Sequence, residues 1–394
     1  SGGGPEHVAA APSAAPAGSA SGPGSASAQA PATAADIYVA PTGDDAAEGT
    51  LSRPYATLAQ AVAVVRPGQT IAMRGGTYRL TQPVAIRTSG TAEQRITLVN
   101  HPGERPVLDA GGLRADQWTV TQTASYWTVR GLEITNSPSH AYVCRSCRYD
   151  TFERLSIHDS ANTAFMLRDA GTVGNQVRDS DFFHNHDTED NGGSADGLAV
   201  KYGSGAGNVV RGCRVFENSG DGLDLAEFAD PVSVTSTWAY GNGVNRWNIP
   251  NFTAAGNGFK LGAGAQTPRV GHTITNSAAW DNSGTGFTDA GNRGVVTVSN
   301  DSAYRNGSVG FAFRSSASLL RHNLALANGT EVTLGADVSA TDNTWNQSGW
   351  TTTALRSGDP ATARAARPDS GSLPETTFLR NRRDAAIGAT MTVR

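Results

Sequence analysis

The sequence contains very little lysine. Among its 394 residues 31 are lysine or arginine, and Lys201 and Lys260 are the only lysines. Arginine stays protonated in proteins, whereas a lysine amine can lose its proton and act as a base. A lone lysine is usually a solvated surface residue, so the surroundings of these two decide whether they carry chemistry.

Excess positive charge and long hydrophobic runs are also missing. The formal net charge is −4, so the whole molecule does not attract nucleic acid or anionic membranes. No apolar stretch approaches the roughly 18 residues that span a bilayer. We therefore expect no nucleic-acid partner and no membrane partner, and an anionic substrate would have to be attracted by a local cation. The chain is also expected to be a monomer.

Cysteine is scarce as well, with only Cys144, Cys147 and Cys213. The first two form a C-x-x-C motif, but no second pair or nearby histidine completes a zinc site. No βαβ pattern supports a redox motif either. A local disulfide or plain packing is therefore the preferred interpretation of the motif.

Large apolar side chains are nearly absent from residues 1–35, which consist mainly of Ala, Ser, Gly and Pro. Such a segment cannot bury enough surface to offset its ordering entropy, so we predict a disordered leader. No charged and apolar signal segment precedes it, which indicates that any signal peptide has been removed. The leader is compatible with a secreted, extracellular protein.

Glycine, in contrast, is abundant, with 46 residues, and only 17% of the chain is charged. This composition is typical of an all-β protein with many turns. Eight segments between residues 129 and 329 resemble one another, most of them at a spacing of 22–26 residues. Each segment ends on one residue of a polar column: Asn136, Asp159, Asn185, Asn218, Asn242, Asn282, Asn306 and Asn328.

Two further columns accompany the repeat. An aromatic residue lies two positions before most of these residues, and a large apolar residue follows in a short strand. The aromatic column contains Phe183, Phe216, Tyr240, Trp280 and Tyr304, and the apolar column contains Leu198, Leu223, Phe259, Phe287 and Phe311. Repeats this short must stack to close a core. The pattern predicts a parallel β-helix in which the Asn column forms an internal hydrogen-bonded ladder, at a turn that tolerates left-handed dihedrals.

The repeat also predicts how the chain is organised. We expect the β-helix to extend over residues 36–350. Residues 54–65 have the helical pattern of a cap on the open end, with Pro54 and Thr57 at the helix start. The repeat is lost after the β-helix, so residues 351–394 are expected to pack on its outside as a tail.

Alignment of the apolar column places acidic residues and one lysine on neighbouring coils. The positions two before its first two members are Asp196 and Asp221. The positions one after its second and third members are Asp224 and Lys260, which point outward because side chains alternate along a strand. Adjacent coils lie about 4.8 Å apart. These four residues are therefore predicted to cluster on the outer wall.

Three carboxylates at this spacing repel one another. Two unit charges ~5 Å apart cost on the order of 3 kcal/mol at an effective dielectric constant near 20, and a bound cation would relieve this. All-oxygen ligands favour a hard ion, and an open arrangement favours Ca²⁺ over Mg²⁺. The simpler alternative is that Asp-Gly marks turns and that Asp224 forms an ordinary ion pair with Lys260.

Two insertions, residues 186–195 and 244–255, flank the coil that carries two of the aspartates. Long loops on one face of a solenoid usually form its binding surface. Arg246 and Trp247 are therefore candidates for contact with an acidic sugar. Asp187, in the first insertion, is interpreted as part of a solvated loop.

Four runs carry a family resemblance. They are Ala-Asp-Gly-Leu-Ala-Val-Lys (195–201), Gly-Asn-Val-Val-Arg-Gly-Cys (207–213), Asp-Gly-Leu-Asp (221–224) and Gly-Asn-Gly-Phe-Lys-Leu-Gly (256–262). Together they resemble polysaccharide lyase family 9, a family of secreted right-handed parallel β-helices that includes pectate lyases.

The resemblance implies a function for the clustered residues. In the family, aspartates hold a calcium ion and a lysine is the base, and these positions match Asp196, Asp221, Asp224 and Lys260. Where the family often has a further acid, this sequence has Gly220. Lys201 also lies in a matching run, which makes a substrate contact and a surface role equally plausible.

The implied activity is calcium-dependent β-elimination of an acidic uronate polymer, with pectate or polygalacturonate as the first choice. Rhamnogalacturonan or another uronate polymer is the alternative within the lyases. A glycoside hydrolase that uses a pair of these carboxylates and a non-catalytic carbohydrate-binding solenoid are the alternatives outside them.

Overall fold

The fold is a right-handed parallel β-helix, as the sequence predicts. The computed structural model describes residues 34–264 and 268–394. The predicted leader falls on residues 1–35, of which residues 1–33 lie outside the described part. No helix in the described ranges is long and apolar enough to cross a bilayer.

Successive coils contribute strands to three parallel sheets. Sheet A contains β1 (Ile37–Val39), β2 (Thr70–Met73), β5 (Ile96–Asn100), β8 (Trp127–Arg130), β11 (Thr151–Glu153), β14 (Gln176–Arg178), β17 (Asn208–Arg211), β20 (Val232–Thr235), β23 (Thr273–Thr275), β26 (Thr297–Ser299), β29 (Leu319–Arg321) and β32 (Ser339–Thr341). Sheet B contains β3 (Gly76–Arg79), β6 (Pro106–Asp109), β9 (Glu133–Thr135), β12 (Ser156–His158), β15 (Asp181–Phe183), β18 (Arg214–Phe216), β21 (Trp238–Tyr240), β24 (Ala278–Trp280), β27 (Ser302–Tyr304) and β30 (Leu324–Leu326). Sheet C contains β4 (Val84–Ile86), β7 (Val120–Gln122), β10 (Tyr142–Arg145), β13 (Phe165–Ala170), β16 (Leu198–Ser204), β19 (Leu223–Asp224), β22 (Phe259–Lys260), β25 (Phe287–Thr288), β28 (Val309–Phe313) and β31 (Thr330–Leu334).

The core lies inside the coils, because alternate side chains of each strand point inward. The predicted apolar column is confirmed: its five members pair in register along sheet C, and all of them are fully buried. The rings of Phe259, Phe287 and Phe311 stack with their centroids 4.8 Å apart, which is the spacing of neighbouring coils.

A short helix, α1 (Leu58–Val64), packs near the N-terminal end. The Thr57 hydroxyl accepts a hydrogen bond from the Gln60 amide and caps the helix N-terminus. The helix is shorter than the predicted segment 54–65, because Tyr55 forms a β-bridge with Val39 and Val65 has an extended backbone.

The predicted Asn ladder is confirmed for six of its eight members. From Asn185 to Asn328, each side-chain amide donates to the Oδ1 of the next ladder residue. The prediction is wrong for Asn136 and Asp159, whose places in the column are taken by the buried Ser137 and Ser160. The left-handed residue is the one before the ladder position, and Asn136 and Asp159 occupy that site with φ of 61° and 57°.

The aromatic column lies on the outer face of sheet B. Consecutive rings from Phe183 to Trp280 stack with centroids 4.5–4.9 Å apart. Apolar residues of the C-terminal segment, including Leu355, Phe378 and Met391, bury this column in one cluster with it. A buried pair between Arg214 and Asp181 adjoins it. Sheet B is therefore covered in this region.

Two of the cysteines are joined. Cys144 and Cys147 form a disulfide, which is one of the two interpretations that the motif allowed. Cys213 is a buried free thiol, and burial raises its pKa to about 12. The bridge excludes metal binding by this pair.

Candidate metal and active site

A column of glycines positions the acidic residues of sheet C. Gly197, Gly222 and Gly258 each stand directly before a member of the apolar column, on successive coils. A Cβ added at Gly222 would lie 2.7 Å from the Gly258 carbonyl oxygen and 2.9 Å from the Asn242 side-chain nitrogen. The Asn ladder therefore packs against these glycines, and Asp196 and Asp221, one residue earlier, are fixed relative to it.

This contact leads to a stability prediction. Gly222→Ala is expected to destabilise the fold by about 1–3 kcal/mol, because an extra methyl group in a packed interior forces its neighbours apart. Any calcium held by the cluster should be bound more weakly as well, because Asp221 is the preceding residue. Chemical unfolding and calcium titration measure the two effects. Gly111→Ala is the control, since its nearest neighbour would be the Asp109 Oδ1 atom at 3.2 Å; equal losses in both variants would contradict the packing argument.

The structure brings together the three aspartates predicted from the sequence. Asp196, Asp221 and Asp224 are almost fully buried, and one carboxylate oxygen of each lies within 4.8 Å of the others. Asp224 pairs in register with Ala199 on one side and with Lys260 on the other, as the aligned columns predict.

Backbone amides orient these carboxylates. The Asp221 amide donates to Asp196 Oδ1 at 2.9 Å, and the Asn257 amide donates to Asp221 Oδ1 at 2.9 Å. The Ala226 amide donates to Asp224 Oδ1 at 3.0 Å. One oxygen of each carboxylate is thus held by the chain, and the second oxygens of Asp196 and Asp224 face a common cation, the Lys201 ammonium.

Burial and mutual repulsion perturb the acids. Burial, together with the charge of Asp224, raises the pKa of Asp196 well above its usual range. The same two causes raise the pKa of Asp221 to about 6. Burial alone would also raise the pKa of Asp224, but Lys201 and Lys260 lower it below the usual value. The cluster therefore has a strong requirement for positive charge.

Lys201 lies inside the cluster, a contact that the sequence analysis did not identify. Its Nζ is 3.4 Å from Asp196 Oδ2 and 3.4 Å from Asp224 Oδ2. These two carboxylates raise its pKa against the opposing effect of burial. The alternation of side chains was an available signal, because Lys201 is two residues after Ala199 and Ala199 is in register with Asp224.

Lys260 is half-buried on the coil next to Asp224. The charge of Asp224 raises its pKa, burial opposes this, and Asp221 and Asp196 add to the increase. Its register with Asp224 on the neighbouring coil is the one that the sequence predicts.

The two loop candidates for sugar binding are partly exposed and have partners within the protein. The Arg246 guanidinium lies 3.5 Å from Glu217 Oε2, and the Trp247 ring stacks on His186 at 4.7 Å. Asp187 is fully buried rather than solvated, and it accepts hydrogen bonds from the Ser194 and Ala195 amides. Its role is to fold the loop that leads into Asp196.

Close packing explains why position 220 is a glycine and not an acid. A Cβ at this position would lie 2.8 Å from the Ala195 carbonyl oxygen and 2.9 Å from Asp196 Oδ1. An acidic side chain would therefore require the neighbouring coil to move.

The donor set present here consists of three carboxylates without cysteine or histidine, and that set fits a hard divalent cation such as Ca²⁺.

The sequence matches a family model described as the Pel9A-like right-handed β-helix region, over residues 37–328. The chain is 35% identical to pectate lyase PEL9 of Emericella nidulans, with 91% of this chain and 95% of that protein covered. It is 33% identical to pectate lyase L of Dickeya dadantii, with coverage of 87% and 83%.

Solved structures give the same result. The crystal structure of pectate lyase Pel9A superposes with a TM-score of 0.78 at 30% identity, and 88% of this chain and 89% of that chain are covered. A rhamnogalacturonan lyase superposes with a TM-score of 0.78 at 22% identity, over 89% of this chain and 99% of that chain. At the lower identity, the second match shows the fold alone.

Proposed function

Because the chain belongs to polysaccharide lyase family 9, the Pel9A-like β-helix family, we propose that it cleaves polygalacturonate by calcium-dependent β-elimination. A polysaccharide lyase of the pectate lyase type is what the relatives support directly. The calcium ion, the lysine base and the polymer itself are inferred from the site.

One observation carries this proposal. Asp224 and Lys260 are neighbours in register on the outer face of sheet C, and Asp224 is clustered with Asp196 and Asp221. A cation-requiring acid cluster beside a potential base is what elimination from a uronic acid needs.

The three aspartates would hold the calcium ion. When bound to the uronate carboxylate as well, calcium stabilises the negative charge that develops as the C5 proton is removed.

Lys260 would act as the base. Its neutral amine takes the C5 proton, and the C5–H electron pair forms the C4–C5 double bond. The glycosidic oxygen leaves C4 with the C–O bonding pair and takes a proton from solvent. The products are a new chain end and an unsaturated sugar. Because the surrounding acids raise the pKa of Lys260, little of the amine is neutral in their presence alone, and activity is expected to increase towards alkaline pH.

An extracellular location and a monomeric state are part of the same proposal. A disulfide between Cys144 and Cys147 fits an oxidising compartment, and a polymeric substrate is met outside the cell.

Ultraviolet-monitored cleavage of a panel of uronate polymers tests the assignment. With calcium, polygalacturonate is expected to give products that absorb in the ultraviolet, because elimination leaves a conjugated double bond. Cleavage without this absorbance would identify a hydrolase, and tight binding without cleavage would identify a carbohydrate-binding solenoid. Cleavage of rhamnogalacturonan alone would retain the lyase but replace the substrate.

A further inference from the structure

A β-bulge places an exposed aromatic ring beside the acid cluster. Between β13 and β16, Arg168 pairs with Lys201 and Asp169 pairs with Gly203, so Tyr202 is the extra residue. Tyr202 has a left-handed backbone, with φ of 54°, and is 46% exposed. A bulky residue in this conformation is strained, and bulges next to active sites redirect side chains.

Two cations flank the Tyr202 ring. The Lys201 Nζ lies 5.2 Å from the ring centroid, and the Arg168 Cζ lies 5.6 Å from it. Lys201 is the residue held by Asp196 and Asp224, so the ring adjoins the acid cluster directly. The position of Tyr202 is therefore defined by the same coils that carry the acids.

The coils on the N-terminal side of the acid cluster have a positive surface. Arg168 and Arg145 are in register on adjacent strands, and both pair with Asp169, at 3.0 and 2.6 Å. Two guanidinium groups on one carboxylate leave an excess positive charge. A planar guanidinium also matches a carboxylate better than an ammonium does.

An apolar strip lies between these cations and the edge of the sheet. Val143, Met166 and Ala199 are in register with one another, and Ala199 is in register with Asp224, so all three are on the outer face. Trp118 packs against this strip and is partly buried. The three side chains of the strip are fully buried, so the accessible surface consists of aromatic rings and positive charge, which are elements of a site for an acidic sugar.

We propose that Tyr202, Arg168 and Trp118 form a binding subsite for a uronate unit adjacent to the unit that is cleaved. The Tyr202 ring stacks on the C–H face of the pyranose, Arg168 pairs with its carboxylate, and Trp118 borders the opposite side. This inference rests on the proposed function, because it assumes a uronate polymer.

Tyr202→Gly is the informative variant, because it removes the ring and relieves the left-handed strain at once. It is expected to leave the melting temperature unchanged or higher, to raise the KM for polygalacturonate roughly fivefold to tenfold, and to change kcat little. Arg168→Gln should raise the KM for the same polymer, because the ion pair between the guanidinium and the sugar carboxylate is lost. A ring with a merely structural role would instead lower the melting temperature.

Tyr149→Gly is the matched control. Tyr149 is also 46% exposed and left-handed, with φ of 55°, but its ring stacks on Tyr126. Its KM should equal that of the wild type. An unchanged KM in both Tyr202→Gly and Arg168→Gln would overturn the subsite.

A binding measurement separates this inference from the proposed function. Trigalacturonate is titrated calorimetrically, with calcium, into Lys260→Ala protein and into the same protein carrying Tyr202→Gly. Weaker binding in the double variant supports the subsite. If the wild type also forms no unsaturated product, that absence of product contradicts only the elimination mechanism. Equal binding in the two proteins rejects the subsite whatever the wild type does.

Discussion

Replacement of Lys260 by arginine or alanine is expected to reduce the turnover of polygalacturonate by about 10²–10⁴-fold, the range typical of a lost general base. Arginine keeps the positive charge next to Asp224 but stays protonated, so it separates proton abstraction from electrostatic attraction. The measurement is the rate of ultraviolet-absorbing product at saturating substrate and calcium. The alanine variant should still bind trigalacturonate and calcium.

Thr288→Val provides a control for this loss. Thr288 is the residue in register with Lys260 on the following coil, so it shares the outer face without a basic group. Its variant should keep most of the wild-type rate. Full activity in Lys260→Ala would exclude lysine-assisted elimination, and equal losses in the Lys260 and Thr288 variants would indicate a general effect on the face.

Removal of calcium by a chelator is expected to abolish product formation completely, and added calcium should restore it. Three buried carboxylates repel one another, and Lys201 supplies only part of the charge they require. Calcium should therefore also raise the melting temperature, since a ligand that binds only the folded state stabilises it by mass action. Thermal unfolding at increasing calcium concentrations measures this independently of activity.

The variant Asp221→Asn assigns the effect to the acid cluster. It keeps the size of the side chain but removes one charge, so both the calcium-dependent increase in melting temperature and the activity should be largely lost. Glu189→Gln, an exposed acid in the 186–195 loop, is the control and should retain both. Unaltered calcium-dependent stabilisation in Asp221→Asn would place the ion elsewhere.

The sequence was sufficient to predict the neighbours in register at the site. Asp224 and Lys260 can be aligned because each follows a large apolar residue, and a buried apolar column tolerates no shift of one residue. The polar column was aligned less well: Asn136 and Asp159 resemble ladder residues but precede the serines that take the ladder positions. Small hydroxyl residues gave no repeating pattern to follow.

Side-chain direction in the irregular parts was not predictable from the repeat. Arg246 is turned to Glu217 by the path of its loop, and no periodicity constrains that path. Tyr202 is exposed because one residue is added to a strand, and the residue pattern does not show which strand carries the addition. The outward direction of Lys201 follows from alternation along its strand, but its ion pair with Asp224 joins it to a neighbouring coil and was not predicted.

The glycine column and the Asn ladder together determine where the two long loops join the coil. Both insertions leave the solenoid just after a ladder residue, Asn185 or Asn242, and rejoin it just before a tightly packed glycine, Gly197 or Gly258. Both ends of each insertion are thus held in place by packed residues of the coil, whatever the length of the insertion. A change in loop length therefore need not alter the spacing of the three aspartates, which is set by the pitch of the coil.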